Sequence, residues 1–206
     1  MPTKIVIIDY GMGNLQSIRK KLLNLNVEPI ISSNPKDIEE ADKLILPGVG
    51  HFKKALENLN KLNIRPTIDE QVLEKQKPIL GICLGMQLMT KSSEEGNVNG
   101  FGWFDAEVLK FDLVDKLRYK VPHVGWNKIT PQFDSDLMKN ILDGAEFYFV
   151  HSYYVKTKDK NHVLNTTTYE KDFVSALENK NIFGVQYHPE KSHETGDQLM
   201  KNFVKL

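Results

Sequence analysis

The chain has 206 residues, 40% of them hydrophobic and 26% charged, which is the composition of a globular protein with one large core and excludes disordered, collagen-like and fibrous classes. Lys plus Arg equals Asp plus Glu at 27 each, so no net positive field draws the chain to nucleic acid or to an anionic membrane. A single cysteine, Cys83, excludes an internal disulfide and a cysteine-rich zinc site and points to a reducing compartment. No apolar run reaches the roughly 18 residues of a membrane helix, and the stretch Met1 to Asp9 reads as a strand without a basic n-region or cleavage site, so a cytoplasmic protein is expected.

The first half alternates short apolar runs with helical patterns. Ile5 to Ile8 is a β-branched run, and Leu15, Ile18, Leu22 and Leu25 mark an amphipathic helix. A second strand at Pro29 to Ile31 leads to Asn34, a capping residue for a helix with Pro35 at its first position. The third strand, Leu44 to Leu46, stops at Pro47. Gly48-Val49-Gly50 then opens onto a helix through Leu62, and a further helix to about Gln76 precedes a fourth strand at Pro78 to Ile82. This alternation predicts an α/β fold with a mostly parallel sheet covered on both faces. The second half reads as strands at Ala106 to Phe111, Lys128 to Thr130, Phe147 to Val155, Val163 to Thr168, Phe173 to Leu177 and Ile182 to Tyr187, with a hairpin turn at Asn179-Lys180-Asn181. An additional antiparallel region is therefore expected, closed by a helix from about Glu194 to Val204. No repeat or linker divides the chain, so one domain over residues 1–206 is expected.

Gly81-Ile82-Cys83-Leu84-Gly85 lies where a buried strand meets a helical pattern carrying Met86, Leu88 and Met89, the arrangement of a nucleophile elbow with Cys in place of Ser. Small flanking residues suit a tight, strained turn, and a helix N-terminus behind it favours a thiolate and offers N–H groups to an oxyanion. The alternative is an inert buried cysteine. His188 in Tyr187-His188-Pro189-Glu190 follows an apolar strand; it can take the thiol proton and return it to a leaving amine, with Glu190 orienting the imidazole. A surface histidine is the plainer account. A metal site of His188, Glu190 and His193 is a weaker alternative, because Pro189 disfavours the helix that would align such ligands. Asp9-Tyr10-Gly11-Met12-Gly13-Asn14 approaches a dinucleotide fingerprint, but Gln16 stands where its third glycine belongs, so it reads as a tight loop at the sheet edge. Pro47-Gly48-Val49-Gly50 occupies the same edge, where two glycines permit positive φ and can swing an N–H toward Cys83. A simple turn there remains open.

Gly81-Ile82-Cys83-Leu84-Gly85-Met86-Gln87 with the distant His188-Pro189-Glu190 resembles the class I glutamine amidotransferases, the Cys-His-Glu glutaminases. Asp9 to Asn14, Pro47 to Gly50, His123-Val124-Gly125-Trp126-Asn127, Phe149-Val150-His151-Ser152-Tyr153 and His188 to Ser192 narrow the resemblance to the glutaminase subunits of imidazole glycerol phosphate synthases. The resemblance implies a flavodoxin-like α/β fold, no cofactor and no metal, hydrolysis of L-glutamine, and a heterodimer with a (β/α)8 cyclase subunit that takes the ammonia through a tunnel to form imidazole glycerol phosphate for histidine. It implies Cys83 as nucleophile, His188 as acid and base, and Glu190 as its orienter. Gln87 and Glu95 stand at glutamine-holding positions, Gly48, Val49, Gly50 and Leu84 at the oxyanion strand and elbow, and Asn14, Trp126, Tyr148 and Lys191 at the cyclase interface. Two departures are His51, after the oxyanion strand, and Phe101-Gly102-Trp103-Phe104. Both fit a paralogous branch feeding a sugar amidotransferase of surface polysaccharide. A stand-alone cysteine hydrolase on the same fold and an inactive subunit that only activates a synthase are the other readings. The aromatic residues Trp126 and Tyr148 to Tyr154 oppose the first unless they are ordinary strand packing, and the intact triad opposes the second.

Overall fold

The structure, a computed structural model, describes residues 3–206, so the reading at Met1 and Pro2 lies outside the described residues. Strand β1 (Ile5–Ile8) is buried throughout, as a β-branched run covered on both faces should be. Helix α1 (Leu15–Asn24) turns Ile18 and Leu22 inward. After β2 (Ile30–Ser32), Asn34 caps α2 (Pro35–Glu40) by accepting the Lys36 N–H, with Pro35 in the first turn as expected. Then come β3 (Lys43–Leu46), α3 (Phe52–Lys61) and α4 (Arg65–Asp69). The helix expected to reach Gln76 instead continues from α4 as a π-helical turn, Glu70–Glu74, and Gln76 at φ 54° reverses the chain. Strand β4 (Ile79–Ile82) delivers Cys83 to the start of α5 (Leu84–Leu88).

The second half departs from expectation in three places. The helical pattern through Met89 ends at Leu88, and the polar segment after it forms β5 (Thr90–Ser93) and β6 (Val98–Asn99). After β7 (Phe104–Lys110), the strand expected at Lys128 to Thr130 is two: β8 (His123–Lys128) and β9 (Thr130–Pro131). The long strand expected at Phe147 to Val155 is also two, β10 (Glu146–His151) and β11 (Tyr153–Thr157), which break at Ser152 and enter different sheets. Strands β12 (Val163–Tyr169), β13 (Lys171–Asn179) and β14 (Ile182–Val185) and helix α6 (His193–Lys205) follow the reading closely. Lys180 at φ 54° makes the tight turn between β13 and β14.

Strands β2-β1-β3-β4-β14 run parallel in that order. This is the flavodoxin-like arrangement, with the strand order reversing between β1 and β3. Strands β13, β11 and β7 extend the sheet by antiparallel pairs, and β8 and β10 form a separate antiparallel ribbon. Two apolar clusters fill the faces of the main sheet, one around Val6, Leu44, Phe52 and Met86, the other around Ile7, Ile45, Phe149 and Tyr187. The loops after β1, β3, β4 and β14 all leave the carboxyl edge, where open α/β sheets bind ligands. Among the described residues, no helix is long and apolar enough to cross a membrane.

Candidate active site

Cys83 sits at φ 55°, ψ −109°, a strained conformation for a residue with a Cβ. Its N–H donates to the Val185 carbonyl at 2.8 Å, and its carbonyl accepts the Gln87 N–H at 3.2 Å, so β14 and α5 grip the elbow from both sides. The flanking glycines have a steric cause. A Cβ on Gly85 would fall on the Leu46 carbonyl oxygen, and one on Gly81 would meet the backbone of Gly85 and Met86 at 2.8 Å. Helix α5 has only five residues, so the macrodipole expected behind the thiol is small.

His188 and Glu190 follow β14 to the same edge. Their side chains are each 1% exposed, and His188 Nδ1 lies 2.8 Å from Glu190 Oε1. A carboxylate only accepts, so Nδ1 carries the proton and Nε2 is left for chemistry. Nε2 has no partner of ordinary hydrogen-bond geometry, and Cys83 is the group whose charge acts on it most strongly. Burial pulls the imidazole pKa down, but the charge and hydrogen bonding of Cys83, and then of Glu190, override it and push it up to about 10. Below the ordinary imidazole value this pairing stabilises the fold in full, and the contribution is lost as pH rises through about 10. Cys83→Ala removes the first-named raising causes, so the His188 imidazole should titrate lower in that variant than in the parent, measured by 15N NMR of the ring.

A cavity of about 380 Å³ opens over the sulfur, lined by Val49, Gly50, Cys83, Leu84, Gln87 and Glu95 from one side and Val150 to Tyr153 from the other. The expected oxyanion strand is thus beside Cys83, with one correction. Gly50 has positive φ, at 107°, but Gly48 does not. Gly48 is required by close approach: a Cβ there would stand 2.7 Å from Leu84 Cβ and from the Tyr10 hydroxyl. The Gly48 carbonyl accepts the Leu84 N–H at 3.3 Å, so the N–H expected to serve an oxyanion is engaged by the loop. Tyr10 pins that loop, its hydroxyl donating to the Pro47 carbonyl at 2.6 Å. Burial, then the charge of Cys83, holds this phenol above its ordinary value.

The two positions expected to hold substrate differ. Gln87 is buried and its amide nitrogen faces the Tyr153 carbonyl and Gln186. Glu95 lines the cavity, yet its Oε2 also accepts the Phe52 N–H at 2.7 Å and so caps α3, where His51 makes no side-chain cap. His193 is not near the triad: its ring stacks on Trp126 at 5.0 Å. The metal trio of His188, Glu190 and His193 therefore does not assemble, and among the described residues no other group of three or more His, Cys, Asp or Glu side chains is placed to hold a metal ion.

A family model described as glutamine amidotransferase class-I matches residues 6–206. The chain belongs to the class I glutamine amidotransferase family. It is 47% identical to the imidazole glycerol phosphate synthase subunit HisH 2 of Methanococcus maripaludis, covering 98% of each chain. It is 44% identical to the subunit of the same name from Pseudomonas aeruginosa, covering 98% of this chain and 99% of that one. Solved structures share the fold at low identity. The glutaminase domain of Trypanosoma brucei CTPS superposes with a TM-score of 0.68 at 18% identity over 98% of this chain and 94% of that one. PurLQS from Thermotoga maritima gives 0.73 at 16% over 100% and 99%.

In this amidotransferase three of the four residues assigned to a partner face meet. Tyr148 and Trp126 are cross-strand neighbours on the β8–β10 ribbon with rings 6.1 Å apart, and Lys191 Nζ lies 5.5 Å over the Tyr148 ring. Trp126 is 44% exposed, so this aromatic pair is not buried strand packing alone. Asn14 stands at the start of α1 without a side-chain cap bond, and α1 packs on the turn that carries Lys191. Three residues that touch the site were given no role by the sequence: Tyr10, His151 and Gln186. Gln186 was readable only as a polar residue ending an apolar run, whereas Tyr10 and His151 stood inside quoted motifs without a function attached.

Proposed function

We propose that the chain is the glutaminase subunit of an imidazole glycerol phosphate synthase, acting in the cytoplasm on L-glutamine as a heterodimer with a (β/α)8 cyclase. The observation that carries this reading is the buried Cys83–His188–Glu190 line at the strained elbow beneath a cavity of substrate size. The Cys83 thiolate attacks the carboxamide carbon, and the tetrahedral oxyanion takes the Leu84 N–H once the Gly48 carbonyl releases it. His188 gives its proton to the departing amine, so ammonia leaves and a glutamyl thioester remains. His188 then takes a proton from water, the hydroxide attacks the thioester, and glutamate and the thiolate return. Ammonia acts as a nucleophile only while unprotonated, which a docked synthase with an enclosed path provides. Trp126, Tyr148, Lys191 and Asn14 form the docking face in this reading, and Gln87 and Glu95 hold the substrate.

The engagement of Leu84 N–H by Gly48 makes the free chain a poor glutaminase. A partner that binds better when the 47–50 loop has turned away shifts the loop toward the active state. Glutamate release by the chain alone, with cyclase, and with cyclase plus its acceptor should rise by about 5- to 150-fold across the series, the usual span of a coupling free energy. Full activity in the free chain would favour the stand-alone hydrolase, and no activity in any arm the inactive subunit. The departures at His51 and at 101–104 do not line the cavity over Cys83. Phe101 stacks on Trp103 with rings 4.5 Å apart, Trp103 donates to Asp69 at 2.9 Å, and Arg65 covers Phe101, so this run packs α4. Supplying a sugar amidotransferase in place of the cyclase distinguishes the paralogous reading in the same assay.

A further inference from the structure

Gln186 is fully buried between Val185 and Tyr187, and the direction of its amide is set from one end of a hydrogen-bond chain. The Tyr153 carbonyl only accepts, so the Gln87 atom 3.1 Å from it is Nε2. The same nitrogen lies 2.9 Å from Gln186, which must therefore present Oε1. Gln186 Nε2 is then left facing Cys83 Sγ, 3.6 Å away. A second chain converges on that carbonyl. His151 Nδ1 donates to it at 2.7 Å, and His151 Nε2 accepts from His123 Nδ1 at 3.0 Å. Burial keeps both imidazoles neutral, His151 down to about 3 and His123 to about 4. Both lone pairs of the Tyr153 oxygen are thus taken by donors, so Gln87 cannot turn round without setting its oxygen against that carbonyl, nor Gln186 without setting its amide nitrogen against that of Gln87.

We propose that Gln186 is a positioning residue for the nucleophile: its amide N–H, aimed by Gln87 and the Tyr153 carbonyl, donates to the Cys83 sulfur and stabilises the thiolate as a second donor beside His188. Its catalytic meaning rests on the glutaminase reading above. The titratable groups around the sulfur are His188 and Glu190 after β14, Tyr10 after β1, His151 at the end of β10 and Glu95 between β5 and β6. The Val150 carbonyl, 4.0 Å from Sγ, is the other polar neighbour. It can only accept a hydrogen bond from a thiol, so it gives a thiolate nothing.

The test uses the single thiol. Iodoacetamide alkylates Cys83 alone, by attack of the thiolate on the reagent's methylene carbon with loss of iodide, and needs neither partner nor turnover. Gln186→Met keeps the side-chain length and removes the donor. Alkylation at pH 7 should become about tenfold slower than in the parent, as expected for losing a hydrogen bond to a charged group, with the two rates converging at alkaline pH. Gln87→Met, which frees Gln186 to turn, should give a smaller loss, and the double variant should be no slower than Gln186→Met. An unchanged rate at pH 7 in a Gln186→Met chain with native near-UV circular dichroism overturns the proposal, as does an equal slowing at every pH, which reports access rather than ionisation. If Gln186→Met does not fold, an unchanged rate in Gln87→Met overturns it instead. Should alkylation respond as expected while the parent with its cyclase leaves glutamine intact, the positioning role stands and the glutaminase reading fails.

Discussion

Cys83→Ala should abolish glutamine-dependent synthesis by the complex and leave ammonia-dependent synthesis by the partner at its parent rate. The reason is separability: in the proposed mechanism the thiol forms the only bond between this chain and the substrate's acyl group, whereas the ammonia consumed by the partner can also come from solution. The substitution removes one sulfur from a site where the backbone is held by Val185 and Gln87 rather than by the side chain, so the elbow should keep its shape. The measurement is synthesis with glutamine against synthesis with ammonium salt at alkaline pH, where free ammonia is abundant. Appreciable glutamine turnover by the variant would remove Cys83 from the mechanism.

Glu190→Gln should cost on the order of 10² to 10⁴ in turnover, as loss of the orienting acid does in other hydrolytic triads, and less than Cys83→Ala. Glu190 Oε2 makes no hydrogen bond, so the amide nitrogen displaces no donor, and Oε1 can still accept from His188 Nδ1. What is lost is the negative charge beside a buried imidazolium, one of the causes that holds the His188 proton. The loss should therefore appear in kcat more than in KM, measured as glutamate release by the complex. An unchanged rate would make Glu190 a bystander.

The parallel half of the fold was legible because its signals are local. β-branched runs such as Ile5 to Ile8, the Asn34-Pro35 cap and the glycines around Cys83 each report their own backbone. The grouping of Cys83, His188 and Glu190 was legible for the same reason, since the elbow and the residues after β14 both sit at strand ends. What escaped depends on contacts between distant residues. Thr90 to Ser93 is a polar stretch with no alternation, and it becomes a strand because β6 and β7 pair with it. Phe147 to Val155 holds no Gly, Pro, Asn or Asp, yet it divides at Ser152 because β8 claims its first half and β7 and β13 its second. Register between β8 and β10 sets His123 against His151, 28 residues apart. The Glu95 cap on α3 joins two loops that no motif connects. Gly48 was read as a φ switch and proves to be a contact residue, a distinction that only the neighbouring Leu84 and Tyr10 can draw.

The central claim is that glutamine is opened at Cys83 through a thioester. The direct measurement is rapid acid quenching of the complex mixed with glutamine, followed by intact mass and peptide mapping of this chain. The account predicts a glutamyl adduct on the peptide carrying Cys83 before the steady state, absent from Cys83→Ala. Steady release of glutamate with no adduct at Cys83, or with the adduct on another residue, would contradict it.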